Sequence, residues 1–139
     1  MIERTLFSPE HEIFRDACRK FIAREITPFH AQWEQDGIVP RELWRKAGAA
    51  GMLCCAVSEA YGGPGADWLY DVVMFEEMAR AGATGPGFMI HTDLVATYLS
   101  SFGSEEQKHK WLPKMASGEV IGSLGMTEPH AGSDLKNIR

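Results

Sequence analysis

The sequence has few cysteines, no long apolar run and no cluster of basic residues, and each shortage excludes a class of protein. Its three cysteines, Cys18, Cys54 and Cys55, form no Cys-x-x-Cys pair, so they predict buried thiols in a reducing compartment rather than a disulfide framework. We find no uninterrupted apolar span of about 18 residues, no signal peptide and no Arg/Ser-rich transit peptide. We therefore expect a soluble, cytoplasmic protein without membrane insertion.

Charge and histidine spacing exclude two further kinds of site. Fourteen Lys and Arg residues against nineteen Asp and Glu residues give a formal net charge of −5, which is unfavourable for binding nucleic acid. The five histidines show neither HxxxH nor HExxH spacing, so we expect no metal site. The four tryptophans occupy helix positions, where a role in the core is more common than base stacking.

What is present is an ordinary globular composition. The 139 residues are 45% hydrophobic and 24% charged, which is enough for a core without disulfides or metals. Helical periodicity extends over the first four-fifths of the chain and predicts about five helices packed as a bundle. The first helix begins at Ser8-Pro9 and ends near Pro28, and Ser104 and Gln107 form a capping box for the last one.

Two of the predicted helices have specific faces. The first has an apolar stripe of Phe14, Ala17, Cys18, Phe21 and Ile22, with Glu12, Arg15, Asp16, Arg19 and Lys20 mostly opposite. The helix after residues 82–87 is strongly apolar. Its predicted core residues are Phe88, Leu94, Val95, Tyr98, Leu99 and Phe102.

The pattern changes after Gly118. Residues 120–126 have strand-like character, and the turn-rich segment Thr127-Glu128-Pro129-His130-Ala131-Gly132-Ser133-Asp134 follows. A single strand cannot satisfy its own backbone groups, so we expect its partners in residues beyond this sequence. We predict a helical domain over residues 1–118 and the beginning of a β-domain over residues 119–139. The segment after the strand offers hydroxyls and backbone N–H groups suited to an anion or an anionic ring edge, and an ordinary Asx-type turn is the alternative.

Three motifs carry a resemblance to a known family. Residues 125–134, GMTEPHAGSD, resemble the [AG]MTEPxAGSD signature of the acyl-CoA dehydrogenases. Residues 59–63, EAYGG, and residues 102–108, FGSEEQK, resemble two other motifs of that family in the same order and spacing. The resemblance covers the whole chain and is closest to the long-chain members around residues 85–91. It implies a mainly α fold: the amino-terminal helical bundle domain of that family plus the first strand of a truncated β-barrel domain.

The resemblance also implies FAD as cofactor, held by residues 124–133, which we call the flavin loop. Met126 and Thr127 would face the isoalloxazine, and Ser133 would serve both the FAD pyrophosphate and the CoA arm. His130 stands at a variable position of the motif and receives no separate role. The residues implied at the cofactor are Leu124, Gly125, Met126, Thr127, Glu128, Pro129, His130, Ala131, Gly132 and Ser133.

For the substrate, the resemblance implies that the helix over residues 88–99 forms one wall of an acyl tunnel. From side-chain volume, we expect Gly85 and Gly87 to leave the base of this tunnel open for a longer chain. The implied substrate-binding residues are Phe88, His91, Leu94, Val95, Tyr98 and Ser133. The family's catalytic glutamate would lie beyond Arg139, so these 139 residues alone are expected to be inactive.

The complete protein would convert a fatty acyl-CoA to trans-2-enoyl-CoA in β-oxidation, as a homotetramer that reduces an electron-transfer flavoprotein. Two alternatives stay open on the sequence: an acyl-CoA oxidase or flavin monooxygenase of the same fold, and a non-catalytic helical binding module if the natural chain ends near Arg139.

Overall fold

The computed structural model describes residues 4–139; residues 1–3 of the predicted 1–118 domain lie outside the described part. The chain forms helices joined by turns and by one longer connection, residues 50–68, with 3₁₀ turns at Glu59–Tyr61 and Leu135–Asn137. One helix, over residues 88–102, contains a π-helical segment, Ile90–Ala96, which continues directly into α5; we call it the π-containing helix. The α-helices are α1 Pro9–Glu25, α2 His30–Asp36, α3 Arg41–Ala49, α4 Leu69–Arg80, α5 Thr97–Phe102 and α6 Glu105–Ala116.

Capping hydrogen bonds of serine residues mark the beginnings of two helices. The Ser104 hydroxyl accepts from the Gln107 amide at 3.2 Å, and the Ser104 amide donates to the Gln107 side chain at 2.8 Å, which is the capping box predicted for α6. At the start of α1, the Ser8 amide donates to His11 Nδ1 at 3.0 Å. The other ring nitrogen of His11 lies 3.1 Å from Asp67, so the beginning of α1 is tied to the beginning of α4.

Part of the core lies where α3 meets the C-terminal end of α6. Leu43, Trp44 and Ala47 are buried on α3, and Leu112 and Met115 are buried on α6. Two glycines allow this contact. A Cβ on Gly48 would lie 2.3 Å from the Ser117 carbonyl carbon, and one on Gly118 would lie 2.1 Å from the Trp44 carbonyl oxygen. The two backbones touch there, so no side chain fits between them.

Helices α1 and α4 are joined by an ion cluster that the sequence does not predict. Arg15, expected on the solvent face of α1, is only 6% exposed. Its guanidinium donates to Glu77 at 3.0 Å and to Glu76 at 2.8 Å, and Arg19 donates to Glu77 at 2.8 Å. Burial alone raises the pKa of Glu77, but the hydrogen bonds from Arg19 and Arg15 outweigh it and leave that pKa lowered. Glu77 is therefore the charged centre of the α1–α4 contact.

Several other predictions about burial can now be compared with the structure. The three cysteines are free and buried, as predicted, and burial raises the pKa of Cys18 and of Cys54 to about 12. Tyr98 and Phe102, predicted in the core, are exposed, and so are Trp68 and Trp111. These four aromatic side chains therefore lie outside the core.

The predicted strand over residues 120–126 forms no ladder in the described part of the chain. The β-type contact found after α6 is an isolated bridge between Glu128 and Ala131. A strand is stabilised by pairing, and the described residues supply no second strand for this segment. In residues 4–139 we also find no helix long and apolar enough to cross a membrane and no cluster of metal-ligating side chains.

Candidate functional site

The flavin loop is built around a tight turn. The Glu128 amide donates to the Ala131 carbonyl at 2.9 Å, and the Ala131 amide donates to the Glu128 carbonyl at 3.1 Å. This reciprocal pair places Pro129 and His130 at the tip, where both are exposed, and Ala131 is buried beneath them. The turn thereby fixes where residues 124–127 enter the loop and where Gly132 and Ser133 leave it.

The residues before this turn offer hydrogen-bond donors that the described chain does not use. Among residues 4–139, the backbone amides of residues 123–127 have no protein acceptor. The side chains of Leu124 and Met126 are about half exposed, at 46% and 49%, and the hydroxyl-bearing residues Thr127 and Ser133 are exposed. Unused amides beside apolar side chains match the requirements of a planar heterocycle with polar edges.

Space at the flavin loop is consistent with the same group. A Cβ built on Gly125 or Gly132 would meet no heavy atom within 4 Å, so a ligand can approach the backbone at both positions. The donors of this loop suit the carbonyl edge of a flavin ring and, at Gly132-Ser133, a pyrophosphate oxygen. The residues present therefore fit FAD.

The second part of the site is the π-containing helix. Ile90, Leu94, Tyr98 and Phe102 follow each other at intervals of four residues. Leu94 is partly exposed and the other three are exposed. Such an open apolar stripe is chemically suited to a hydrocarbon chain or to another part of the protein. Leu94 and Tyr98, both predicted to bind substrate, lie on it, whereas Val95 is half-buried and packs beside Gly122.

Two predicted substrate residues, Phe88 and His91, are not on this surface, and their contact with substrate stays a prediction. Phe88 is 1% exposed and His91 is fully buried. Phe88 packs edge-on against Trp44 with ring centroids 4.8 Å apart, and the His91 ring contacts the same indole at 5.2 Å. Both side chains are in the core, because the π-containing helix turns this face towards α3 and α6.

His91 instead makes hydrogen bonds through both ring nitrogens. Its Nδ1 accepts from the Gly122 amide at 2.9 Å, and its Nε2 lies 3.0 Å from the Met115 carbonyl. Since an amide can only donate and a carbonyl can only accept, the proton is assigned to Nε2. Burial lowers the pKa of His91, although the bond to Met115 opposes this. His91 is therefore a neutral imidazole.

An apolar cavity of about 240 Å³ lies at the beginning of the π-containing helix. Gly87 lines it, and a Cβ built on Gly87 would meet no atom within 4 Å. A side chain at Gly85 would instead meet the ring of His30 at 3.2 Å. The lining residues are Phe75, Met78, Ala83, Thr84, Pro86, Gly87, Phe88, Met89 and Ile90.

A second cavity, of about 340 Å³, lies beside buried polar groups that the sequence analysis missed. Asp71 accepts from the amides of Cys55 and Ala56 at 3.2 and 3.3 Å, and the Thr92 hydroxyl accepts from the Cys54 amide at 3.1 Å. Burial raises the pKa of Asp71, which these hydrogen bonds partly offset. The bonds hold Cys54 at a φ of 55°. These hydrogen bonds satisfy the backbone amides of a buried turn. Hydrophobic periodicity along the sequence does not predict such bonds.

Comparison with known proteins places this geometry in a family. Residues 8–119 match the family model described as acyl-CoA dehydrogenase, N-terminal domain. The chain is 47% identical over 136 residues to a mitochondrial long-chain specific acyl-CoA dehydrogenase of Rattus norvegicus, covering 98% of this chain and 32% of that protein. The chain thus spans about a third of the length of this relative.

Two solved structures are also similar. The crystal structure of an acyl-CoA dehydrogenase from Geobacillus kaustophilus superposes with a TM-score of 0.92 at 48% identity, covering 98% of this chain and 36% of that one. An acyl-CoA dehydrogenase from Bacillus anthracis, solved in complex with FAD, gives a TM-score of 0.89 at 32% identity, covering 99% and 24%. The chain belongs to the acyl-CoA dehydrogenase family, of which it supplies the N-terminal helical domain.

Proposed function

We propose that the complete protein is an FAD-dependent acyl-CoA dehydrogenase that converts long-chain fatty acyl-CoA to trans-2-enoyl-CoA. The observation that carries this is the flavin loop, residues 124–133. Among the described residues, its backbone amides at 124–127 have no protein acceptor, and a ligand can approach the backbone at its two glycines. The same chain also presents the apolar stripe Ile90, Leu94, Tyr98 and Phe102. One segment suits a polar-edged ring and the other suits an acyl chain.

Each segment has a defined task in this proposal. When bound, FAD supplies the hydride-accepting chemistry of the reaction. The amides and hydroxyl at Met126 and Thr127 bind and orient the ring, and the hydroxyl of Ser133 donates to pyrophosphate and to the CoA arm. The side chains of Leu94 and Tyr98 form one wall of the acyl tunnel and exclude water from it.

We assign no catalytic base within these residues. Glu76 and Glu77 are engaged by arginines, which hold the pKa of both carboxyls below the ordinary range, so neither is suited to take a proton. Glu128 accepts from the Arg139 amide at 3.1 Å. We propose that the glutamate that removes the α-proton belongs to another part of the complete enzyme, which is the reason we expect the 139 residues alone to be inactive.

A turnover assay on the complete protein tests the reaction and its electron acceptor. With hexadecanoyl-CoA and an electron-transfer flavoprotein, we expect a product that is two hydrogens lighter than the substrate. Oxygen uptake is expected to stay at the level of a control without substrate. Rapid oxygen uptake would instead favour an acyl-CoA oxidase, and the absence of any product would overturn the proposal.

The preference for long chains rests on the cavity at Gly87. We expect Gly87→Leu to fill much of the 240 Å³ and to lower kcat/KM for hexadecanoyl-CoA by about tenfold. Two excluded methylenes at about 0.8 kcal/mol each account for an effect of this size. The measurement is kcat/KM over a series of acyl-CoA lengths.

Octanoyl-CoA is the internal control for this variant, since its chain should end before the filled cavity. Its kcat/KM is expected to change by less than about twofold, in keeping with a substrate that never contacts the new side chain. An equal loss for octanoyl-CoA and hexadecanoyl-CoA would show that Gly87 does not line the end of the tunnel.

Assembly and location are proposed from the same family membership. We propose that the complete enzyme is a homotetramer, and sedimentation of the purified protein measures this. A cytoplasmic location stays a prediction of the sequence, and the rat relative is described as mitochondrial. Fractionation of the source cell distinguishes the two locations.

A further inference from the structure

The hydrogen bond between His91 and Gly122 has a special place along the chain. After α6, the backbone folds back on the helices through Val120, whose amide donates to the Lys114 carbonyl at 3.0 Å. The next contact is that of the Gly122 amide with His91 Nδ1. Within residues 4–139, every hydrogen bond made by residues 123–139 stays among those same residues. The His91–Gly122 bond is therefore the last one that connects the helices to the flavin loop.

The surroundings of Gly122 show that this contact is close-fitting. A Cβ on Gly122 would lie 2.8 Å from Val95 Cγ1 and 2.9 Å from Met115 Cε. A larger residue would require the side chains of Val95 and Met115 to shift or the Gly122 backbone to move away from the π-containing helix. The absence of a side chain lets the Gly122 amide reach the imidazole.

His91 also connects two parts of the proposed site. It lies in the π-helical segment Ile90–Ala96, of which Ile90 and Leu94 present the open apolar stripe. Insertions of π-helix inside α-helices often mark functional sites. The residue that holds the start of the flavin loop is therefore on the same helical segment as the proposed acyl wall.

We propose that His91 is a positioning residue: its Nδ1 holds the Gly122 amide and thereby sets the distance between the flavin loop and the acyl wall. This inference rests on the proposed function. The bond from Nε2 to the Met115 carbonyl keeps the imidazole in the tautomer that leaves Nδ1 free to accept. A protonated ring would turn an N–H towards the Gly122 N–H, so only the neutral ring performs this role.

Asparagine and glutamine separate the two hydrogen bonds of His91. The side-chain oxygen of asparagine stands near the place of Nδ1 and can accept from Gly122, but its amide does not reach Met115. The side-chain nitrogen of glutamine stands near the place of Nε2 and can donate to Met115, but it leaves Gly122 unpaired. Each variant therefore keeps one bond and loses one bond, which makes the two a matched pair.

The experiment measures the dissociation constant of FAD, by flavin fluorescence, for the apoprotein of the complete enzyme and its variants. We expect His91→Gln to raise this constant about fivefold, the effect of one lost hydrogen bond, and His91→Asn to raise it by less than about twofold. Both variants are expected to lower the unfolding temperature of the apoprotein by similar amounts. Gly122→Ala changes the donor of the same hydrogen bond, and we expect it to raise the dissociation constant of FAD at least as much as His91→Gln does.

The outcomes separate this inference from the proposed function. If the wild-type enzyme binds FAD and oxidises acyl-CoA while His91→Asn and His91→Gln bind FAD equally well or equally poorly, the positioning role is overturned and the function stands. FAD binding that is weaker in His91→Asn than in His91→Gln also overturns the positioning role. If the histidine variants do not fold, unchanged FAD binding by Gly122→Ala overturns it. A wild-type enzyme that neither binds FAD nor oxidises acyl-CoA overturns both.

Discussion

Replacing Gly118 with alanine is expected to destabilise the contact between α3 and α6 by about 4 kcal/mol, through left-handed strain and overpacking together. Gly118 has a φ of 73°, and its Cβ would lie 2.1 Å from the Trp44 carbonyl oxygen. Backbone cannot move aside as a flexible side chain can. The two helices would separate, exposing Leu43 and Leu112, which are now buried.

Gly82→Ala is the matched control for this substitution. Gly82 has a φ of 65°, but no heavy atom lies within 4 Å of its Cβ position, so only the backbone strain of about 1 kcal/mol remains. Hydrogen exchange of the complete protein, read on peptides from α3 and α6, gives the local opening free energies. Equal changes for the two alanines would contradict the close approach of the helices.

Replacing Glu77 with glutamine is expected to destabilise the protein by about 3 kcal/mol at pH 7, since the guanidiniums of Arg15 and Arg19 both lose a charge-assisted hydrogen bond. Glu77 is 4% exposed and holds both Arg15 and Arg19. Glu76→Gln is the control, because its side chain is 29% exposed and we expect a loss of about 1 kcal/mol. Urea unfolding of the complete protein compares the two variants.

The same carboxylate predicts an acid dependence with a definite sign. The pKa of Glu77 is lowered in the folded state, so its stabilisation is fully present above the unfolded glutamate pKa of about 4.3. It is lost as the pH falls from there through the lower folded pKa. Wild type and Glu77→Gln are therefore expected to approach each other in stability at low pH. A difference that stays constant down to pH 3 would show that Glu77 acts through packing and not through charge.

Local sequence signals predicted most of the helices, and the reason is that their ends carry their own chemistry. The Ser8-Pro9 pair and the Ser104–Gln107 capping box each set a boundary within a few residues. The burial of Arg15 was not predictable in this way, because its partner Glu77 is 62 residues away. The same is true of Tyr98 and Phe102: periodicity shows that a helix has an apolar face but not whether a neighbour covers it.

At the site, the motif over residues 125–134 predicted the flavin loop but not the residue that holds it to the helices. His91 was predicted to contact substrate on the strength of its helix, whereas its ring is directed to Gly122, which lies 31 residues further along the chain. No spacing in the sequence links the two. The π-helical turn that brings them together depends on the packing against Trp44 and on the bond to Met115, which are tertiary contacts.

Anaerobic titration of the complete protein with hexadecanoyl-CoA is the most direct test of the central claim, that this chain holds the flavin loop and the acyl wall of an acyl-CoA dehydrogenase. The measurement is the absorbance of the flavin. We predict a purified protein that carries FAD, whose absorbance in the visible bleaches in proportion to the added acyl-CoA and is restored by an electron acceptor. A protein that carries no flavin, or a flavin that stays oxidised with excess acyl-CoA, would contradict the account.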